Sequence, residues 1–600
     1  MRKIIHKFEQ LLWEEDVPEK DSALKLYQEL TPSDACDTWF WKDIDYSDKT
    51  RSFWRPVKHY ERIQFILKGF GKSQLLENGE YTKRMIGALK YWLTNNFENP
   101  NWWHNQIGTP CAIGNIAIMM HSVLDKDTLS QAAAIVAKGS MAQNKNIAEK
   151  WTGANLLWGA LNTIRHALLT EDESLLRLAA DRVSEEIAVG TQEGIQDDYS
   201  FFQHGPRLYS GGYGRSFIGD TAKIIFLLDE TPYQLSCEKT ELVLSFVLEG
   251  LRPMIQKKAL DWSCVGREIT RVNALSVDSL KPAIKTLLRT ANLSRKHELN
   301  AFWESMSGGA QPDITKYFDK AFMLCHRFNG IYVGAKFLND QIWGAEICNG
   351  EGELCYNMSY GTHTCIMRNG EEYFNISPVW DYSRIPGTTS LIETDEQLLA
   401  RKDWTTRPLP SKHFGGKQQD RRAVIFELAE HDGIKMQVAD FAFEDGFVCL
   451  GAEIESQSVD RAKIVSTVDQ CLIQGDVVVE NNSISHNAIR YTALQDTHIE
   501  FTAETKQGSW RRNNKALSEE TVNADVLTLS INHSENSKCA YSYMISSADM
   551  PIPKVEVLRN DDKVQAIRLP DGSIMAVFHQ YDTLSVDDNI IVGEADDIIF

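Results

Sequence analysis

The periodicity of the apolar residues changes between about Ser307 and Lys320, and this change restricts the possible folds. Before it, segments such as 81–93 and 176–187 repeat apolar residues at the spacing of an amphipathic helix. After it, β-branched and aromatic runs alternate with turn signals, and Asp445-Gly446 lies where a hairpin turn is expected. Many helices followed by many strands predict an α+β multidomain fold, with a helical toroid or solenoid first and antiparallel β-sandwich domains after it.

The length of the chain predicts more than one domain. Its 600 residues exceed one ordinary hydrophobic core, so we expect two or more domains. We predict a helical domain over residues 1–315, a central antiparallel β-sandwich over residues 316–550, and a small β domain over residues 551–600. Because the chain stops in an apolar run that ends at Phe600, truncation of this last domain stays open.

The charge of the chain excludes some classes of partner. The sequence carries 63 Lys and Arg residues against 83 Asp and Glu residues, which gives a formal net charge of −20. Proteins that bind nucleic acid in general usually have a basic excess, so nucleic acid is not an expected partner. A polyanionic ligand would need a local cluster of basic side chains, because the global field repels it.

No segment has the composition of a membrane span or a metal site. The sequence lacks a run of about eighteen apolar residues, and the segment 1–8 lacks an apolar stretch of signal-peptide length. The 11 cysteines are scattered and form no Cys-x-x-Cys pair. We therefore expect no membrane span, no required cofactor and no metal site, while a structural calcium in the β half stays open.

A glycine-rich stretch from Gln203 to Gly214 is the first candidate for chemistry. It surrounds His204 and Tyr213 with glycines, which allow positive φ angles and close backbone approach. Because glycines add little to a core, we expect both side chains to project from a loop. A tyrosine corner and a helix-capping histidine are the alternative interpretation.

Arg267 and Arg271 are the second candidate. They lie four residues apart, so one helical turn would place them on the same face. A guanidinium close to Tyr213 would favour the phenolate and lower the pKa of the phenol from its ordinary value of about 10. Bidentate binding of a carboxylate or sulfate is a second use, and two surface arginines in salt bridges are the alternative without a function.

Two shorter motifs lie in the first half of the chain. Trp102 and Trp103 are neighbours, and neighbouring side chains on a helix point in different directions, so one or both could stack on a sugar. Packing between helices is the alternative for this pair. Asn155, two residues after a glycine, could bind a substrate carboxylate or merely cap a helix.

Taken in order, these motifs resemble polysaccharide lyase family 8, the family of the chondroitin AC, hyaluronate and xanthan lyases. The similarity runs from about Asn101 to Ser390. It rests on Asn-Trp-Trp103, Thr-Gly-Ala-Asn155, Gln-His204, Gly-Gly-Tyr213-Gly, Gly-Arg267-Glu-Ile-Thr-Arg271, Asn-Gly-Glu351 and Pro-Val-Trp380. The resemblance implies an incomplete α/α toroid followed by antiparallel β-sandwich domains, and an enzyme that cuts an acidic polysaccharide by β-elimination.

The resemblance also implies roles for individual residues. Asn155 and His204 would bind and neutralise the carboxylate of a uronate. Tyr213 would take the C5 proton as general base and then return a proton to the glycosidic oxygen as general acid. Arg267, assisted by Arg271, would favour the ionised form of the tyrosine.

A second group of residues would support this chemistry. Glu351 would orient the catalytic arginine or histidine, and three tryptophans would stack on sugars. The substrate contacts implied by the resemblance are Asn101, Trp102, Trp103, Gln203, Arg207 and Trp380.

Three positions depart from the family's pattern. Leu156 stands where an arginine is usual, Gln106 where a glutamate is usual, and Asn339-Asp340-Gln341 where a Ser-x-Arg is usual. The first and third departures remove positive charge, which predicts a substrate with less sulfate or with sulfate placed differently. We expect chondroitin sulfate or hyaluronan as the substrate, with xanthan and alginate as alternatives.

Two rival interpretations come from other functional classes. A glycoside hydrolase on a helical toroid would need two carboxylates at hydrolase spacing. A non-catalytic polysaccharide-binding protein would not need the intact set of Asn155, His204, Tyr213 and Arg267. We expect a monomer that is secreted or periplasmic in a bacterium, because uronate polymers are usually met there; without a visible leader, a cytoplasmic location stays open.

Overall fold

The computed structural model describes residues 1–35, 37–190, 192–401, 411–456, 464–533 and 539–600. The chain separates into two compact units. Unit 1 comprises Met1–Ala188, Ser216–Leu244 and Leu280–Lys296, and unit 2 comprises Val189–Arg215, Ser245–Ser279 and His297–Phe600. This division does not follow the order of the chain, and the predicted boundaries at residues 315 and 550 stay predictions.

Helices dominate the first half of the chain, as the apolar periodicity predicts. The α-helices of the described residues are α1 Arg2–Glu14, α2 Lys20–Gln28, α3 Val57–Glu77, α4 Gly79–Asn95, α5 Thr109–Met119, α6 Lys126–Ala137, α7 Lys145–Glu149, α8 Gly153–Thr170, α9 Glu173–Glu186, α10 Tyr213–Leu228, α11 Cys237–Ser245, α12 Lys281–Leu288, α13 Lys296–Met306 and α14 Asp395–Ala400. A π-helical turn spans His104–Gly108, and two 3₁₀ helices span Trp262–Cys264 and Gly266–Thr270.

Helix α8 shows why these segments are helical and how they pack. Its apolar side chains, including Leu157, Leu161 and Ile164, recur at helical spacing and are buried against α5, α6 and α9. The next helix, α9, begins where the Asp172 carboxylate accepts hydrogen bonds from the amides of Ser174 and Leu175. Burial of one face and capping of the next helix together fix this antiparallel pair.

Strands dominate the second half. The first fourteen are β1 Thr31–Pro32, β2 Trp39–Phe40, β3 Gly194–Ile195, β4 Phe201–Phe202, β5 Ile255–Gln256, β6 Ala259–Leu260, β7 Ile314–Phe318, β8 Met323–Phe328, β9 Ile331–Phe337, β10 Thr362–Met367, β11 Thr389–Leu391, β12 Phe414–Gln419, β13 Arg422–His431 and β14 Ile434–Phe443. The others are β15 Gly446–Ser456, β16 Ile464–Leu472, β17 Val477–Glu480, β18 Ser483–His486, β19 Ile489–Ala493, β20 Glu500–Gly508, β21 Val522–Asn532, β22 Cys539–Ser547, β23 Glu556–Asn560, β24 Val564–Arg568, β25 Ile574–Phe578, β26 Asp582–Val586, β27 Asn589–Gly593 and β28 Asp597–Ile599.

The strands of unit 2 form antiparallel sheets. The largest sheet has the order β12-β13-β14-β15-β22-β19-β18-β17, and two four-stranded sheets have the orders β10-β9-β8-β7 and β11-β16-β21-β20. The strands β23-β24-β25-β28 form a further sheet near the C-terminus, beside the β26–β27 hairpin. The predicted hairpin is present, but its turn lies one residue earlier than predicted, at Glu444-Asp445, because Phe443 of β14 pairs with Gly446 of β15.

The C-terminal sheet shares a hydrophobic core with the large sheet. Phe426, Phe441 and Val448 of the large sheet are fully buried in one cluster with Ile567 and Met575 of the C-terminal sheet. A side chain alternates faces along a strand, so the inward positions of both sheets meet in this layer. The second half of the chain is therefore made of packed antiparallel sheets, as the sequence predicts.

Candidate active site

The loop between β4 and α10 carries three of the predicted residues of unit 2, Gln203, His204 and Arg207. His204 has a φ of 59° and is followed by Gly205 at 86°, so the chain makes a left-handed turn that a non-glycine residue rarely adopts. Arg207 holds this turn, because its Nη1 donates to the carbonyl of His204 and its Nε donates to the carbonyl of Gly344 at 3.0 Å. Tyr213 then begins α10.

The carboxylate of Glu346 lies at the centre of the site. It accepts hydrogen bonds from Nδ1 of His204 at 3.0 Å and from the hydroxyl of Tyr209 at 2.9 Å. It also forms an ion pair with Nη1 of Arg267. Sequence reasoning missed Glu346 and named only Glu351 as the acidic residue of the site. A single acidic residue inside the otherwise apolar run 342–348 is the signal that could have found it.

Arg267 joins the two tyrosines of the loop. Its Nη2 donates to the hydroxyl of Tyr213 at 3.4 Å, and its Nη1 donates to the hydroxyl of Tyr209 at 3.3 Å. The preceding residue, Gly266, has a φ of 58°, and a Cβ there would lie 2.3 Å from the Tyr209 ring, so this close approach requires glycine. Arg267 is 5% exposed, which places its charge in a largely dry environment.

Arg271 is held beside Arg267 by acidic side chains. Its Nε and Nη2 donate to the same oxygen of Glu351 at 3.1 and 2.9 Å, and that oxygen also lies 3.4 Å from Nε of Arg267. The two arginines do not share an α-helical turn, because the 3₁₀ helix that carries Arg267 ends at Thr270. They converge on Glu351 instead, whose backbone pairs with Asn514.

The pKa of Tyr213 does not move in the direction that we expected. Burial raises the pKa of the Tyr213 phenol above its ordinary value, and the opposing effect of Arg267 only reduces this rise. The expectation was wrong in its net direction because a buried phenolate loses more solvation than one guanidinium restores. Tyr213 is therefore protonated at neutral pH before any substrate binds.

His204 is neutral in this arrangement. Burial, assisted by the charge of Arg267, lowers the pKa of its imidazole to about 4. Since a carboxylate can only accept hydrogen bonds, Nδ1 carries the proton that faces Glu346, and Nε2 is left as an acceptor. A neutral imidazole does not neutralise a uronate, so the predicted role of His204 requires that it take up a proton.

Three predicted substrate contacts of unit 2 are buried. Gln203 is fully buried and donates to Glu193 at 2.6 Å. Arg207 is 4% exposed and lies over the ring of Trp343, 4.9 Å from the centroid. Trp380 has no exposed surface and packs edge-on against Trp262 at 5.3 Å. All three are packed inside unit 2 in this arrangement, and their roles as substrate contacts stay predictions.

The other predicted residues belong to unit 1. Trp102 is 44% exposed and its ring lies 5.2 Å from that of Trp151. Trp103 is partly buried and meets Trp158 edge-on at 5.9 Å, while Asn101 bonds to the carbonyl of Arg51. Trp102 thus keeps the exposed ring that sugar stacking needs, and Trp103 packs within the unit.

Asn155 lies in the first turn of α8 and is partly buried. The helix begins after Thr152, so Asn155 is not the residue that caps it. Its amide remains a candidate for a substrate contact.

Metal sites and membrane-spanning helices are two further features on which the described residues give information. Within the residues that the structure describes, no group of three or more His, Cys, Asp and Glu side chains is arranged to hold a metal ion. No helix in those same ranges is long and apolar enough to cross a membrane.

Comparisons with known proteins give the same class as the fold and the site. Residues 4–307 match the N-terminal α-helical domain of polysaccharide lyase family 8, and residues 313–549 match its super-sandwich domain. A helical toroid, antiparallel sandwiches, and a tyrosine held by an arginine beside a histidine define an enzyme of the polysaccharide lyase class. The chain belongs to polysaccharide lyase family 8.

Individual relatives cover most of the chain. It is 29% identical to the chondroitinase-AC of Pedobacter heparinus over 91% of this chain and 81% of the relative. It is 22% identical to the xanthan lyase of a Bacillus species over 91% of this chain and 67% of the relative. The structure of a chondroitinase AC lyase superimposes with a TM-score of 0.89 and 25% identity, covering all of this chain and 91% of the other. The predicted α+β class, with a toroid followed by sandwiches, is thereby confirmed.

Proposed function

We propose that this lyase cleaves a uronate-containing glycosaminoglycan, chondroitin sulfate or hyaluronan, by β-elimination. The observation that carries the proposal is the contact of the Tyr213 hydroxyl with Nη2 of Arg267, 3.4 Å apart, beside the ring of His204. The similarity to a chondroitinase-AC supports the class of substrate. The bond that breaks joins the glycosidic oxygen to C4 of the uronate, and the double bond forms between C4 and C5.

The chemistry needs a base that can reach a weak carbon acid. A C5–H next to a carboxylate anion is hard to ionise, and preorganised donors that stabilise the enolate-like state supply the largest contribution to the rate. The fraction of Tyr213 that has released its phenolic proton to solvent takes the C5 proton as phenolate and then passes it to the leaving oxygen, so the tyrosine is a phenolate again at the end of the cycle. Arg267 favours that phenolate, and its burial strengthens the interaction because the local dielectric is low.

The carboxylate of the substrate changes the charge balance of the site. In our proposal, the uronate lies against His204, and the role of Asn155 as a donor to the carboxylate stays a prediction from its motif. A negative charge beside the imidazole raises the pKa of His204, so the histidine takes up a proton as the substrate binds. The imidazolium then compensates the carboxylate, which makes the C5 proton more acidic.

The remaining residues of the proposal either orient the catalytic groups or bind the polymer. Glu346 orients His204 and Arg267, and Glu351 orients Arg271. Trp102 stacks on a sugar ring through its exposed face. The proposed chemistry uses protein groups alone, so we expect it to persist in the presence of a chelator. We also propose that the enzyme works as a monomer outside the cytoplasm, where these polymers are met.

The test is the appearance of an unsaturated uronate. The protein is incubated with chondroitin, chondroitin sulfates, hyaluronan, xanthan and alginate, and the ultraviolet absorbance of the conjugated product is followed. We expect a rise on chondroitin or hyaluronan, and we expect Tyr213→Phe to lower kcat by about a thousandfold or more while polymer binding persists. New reducing ends without that absorbance would instead show a hydrolase.

A further inference from the structure

Glu268 holds the part of the Arg271 guanidinium that Glu351 leaves unoccupied. Its Oε1 lies 3.3 Å from Nη1 of Arg271, while Glu351 accepts from Nε and Nη2. All three nitrogens of Arg271 thus face a carboxylate. Two carboxylates on different edges of one planar guanidinium fix its orientation more tightly than one could.

The same glutamate is tied to the helix that begins with Tyr213. Its Oε2 lies 3.4 Å from Nη2 of Arg215, the third residue of α10. Arg215 also donates to the carbonyls of Ala274 and Ser276, at 3.1 and 3.0 Å, which anchors it independently. A Cβ at Gly212 would lie 2.7 Å from the Tyr209 ring and 3.3 Å from the Glu268 carboxyl carbon, so the glycine before Tyr213 leaves room for the ring first and for this carboxylate second.

We propose that Glu268 is a positioning residue of the lyase, which fixes the guanidinium of Arg271 together with Glu351 and ties it through Arg215 to the first turn of α10. This inference rests on the proposed function, because it concerns the arginines and the tyrosine of the proposed elimination. The side chain of Glu268 is 14% exposed, so its charge is only partly screened by water.

The charge of Glu268 also opposes the ionisation of Tyr213. The charged and titratable groups around the phenol are Arg267, Arg271, Glu268, His204 and Tyr209, with Glu346 and Glu351 behind the arginines. Burial raises the pKa of Tyr213 most, the arginines lower it, and Glu268 raises it again. Removing the negative charge of Glu268 therefore lowers the pH at which the phenolate forms.

The experiment compares pH profiles of kcat, at saturating substrate where His204 is already protonated, for Glu268→Gln, Glu268→Asp and the wild-type enzyme. The substrate is whichever polymer the wild type cleaves, and the readout is the absorbance of the unsaturated uronate. The matched control is Asp561→Asn, which removes another carboxylate paired with an arginine, Arg559, in the C-terminal sheet. Thermal unfolding of each variant is measured alongside.

We expect Glu268→Gln to move the acid limb of the profile to lower pH by about 0.5 to 1 unit. We also expect kcat to fall by about tenfold, because Arg271 loses part of its support. Glu268→Asp keeps the negative charge, so its acid limb stays near that of the wild type. Its shorter side chain no longer contacts Arg271, so its kcat falls. The double variant Arg271→Gln/Glu268→Gln should have the same kcat as Arg271→Gln alone, because Glu268 then has no Arg271 guanidinium to orient. Its acid limb should still lie at lower pH than that of Arg271→Gln.

An unchanged acid limb in Glu268→Gln, with a rate that falls equally at every pH, would overturn the proposal. If Glu268→Gln does not fold, the test rests on Glu268→Asp. A kcat of that variant equal to the wild-type kcat would overturn the proposal. Failure of the proposed function is seen separately, since the wild type would then yield no unsaturated uronate or Tyr213→Phe would remain active.

Discussion

Glu346 accepts a hydrogen bond from Nδ1 of His204 at 3.0 Å, although the two residues lie 142 positions apart in the chain. The same carboxylate forms an ion pair with Arg267 and accepts a hydrogen bond from Tyr209. It therefore fixes both the tautomer of the histidine and the position of the arginine that contacts Tyr213. Glu346 therefore connects the loop that carries His204 to the segment between β9 and β10, in which Glu346 itself lies.

Replacing Glu346 should disturb catalysis more than binding. We expect Glu346→Gln to lower kcat by about 100-fold, because His204 and Arg267 lose the negative charge and one of the two accepting oxygens that orient them, and small displacements of reacting groups are costly. Steady-state kinetics at several pH values would measure this. Glu444→Gln is the control, because it removes a carboxylate paired with Arg422 at an exposed position. A kcat within twofold of the wild type would show that Glu346 has no positioning role.

Binding of a uronate should be accompanied by proton uptake at His204. Burial and Arg267 lower the pKa of this imidazole to about 4, so it is neutral at pH 6 to 7 in the free enzyme. A bound carboxylate raises that pKa, and a proton is taken from solution. Calorimetric titration of Tyr213→Phe with the uncleaved polymer, in buffers of different ionisation enthalpy, would count the protons. We expect an uptake of up to about one proton at pH 6, with affinity falling as the pH rises.

His204→Ala in the same Tyr213→Phe background is the control for this measurement. The variant should bind without proton uptake. Equal uptake with and without the imidazole would assign the proton to another group and contradict the proposed role.

Trp102 and Trp380 should respond to substitution in opposite ways. Trp102 is 44% exposed, so Trp102→Ala should raise KM several-fold with little change in stability, because a stacking contact contributes about 1 kcal/mol. Trp380 is fully buried, so Trp380→Ala should lower the free energy of unfolding by about 3–5 kcal/mol through the cavity that it leaves. Kinetics and denaturant unfolding of both variants would separate the two effects. A raised KM with unchanged stability in Trp380→Ala would instead support its predicted role in sugar stacking.

Two buried carboxyl groups in the large sheet predict that the free energy of unfolding falls as the pH rises from acidic to neutral values and above. Glu427 is fully buried, and neither of its carboxylate oxygens has a hydrogen-bond partner among the described residues. Burial, reinforced by Asp440, raises the pKa of Glu427 well above its ordinary value, and burial raises the pKa of Asp440 to about 7. A carboxyl group with a raised folded-state pKa stabilises the fold fully below its unfolded pKa of about 4, and this contribution is lost as the pH rises through the folded value.

Glu427→Gln tests this loss. Between pH 5 and 8 the free energy of unfolding of the wild type should fall by the order of a few kcal/mol, and that of the variant should fall less, because one of the two groups no longer titrates. Urea unfolding of the whole protein at both pH values is the measurement. A parallel fall in both proteins would show that these carboxyl groups do not govern the pH dependence.

Much of the fold was determined by local patterns in the sequence. Apolar spacing predicted the helices of the first half, and the Asp445-Gly446 signal predicted the hairpin between β14 and β15, one residue away from its turn at Glu444-Asp445. The glycine-rich motifs selected His204, Tyr213 and Arg267, which the structure brings together. These predictions succeed because periodicity and turn chemistry depend on neighbours along the chain.

Only the tertiary structure decided the environments of these side chains. No local pattern could show that Glu346 meets His204, that Trp380 and Arg207 are buried, or that burial outweighs Arg267 in raising the pKa of Tyr213. Burial and charge pairing depend on residues that are distant in the chain, and they set the protonation states on which the chemistry rests. The sequence thus determined which groups are available, and long-range packing decided which of them are neutral, charged or hidden from a substrate.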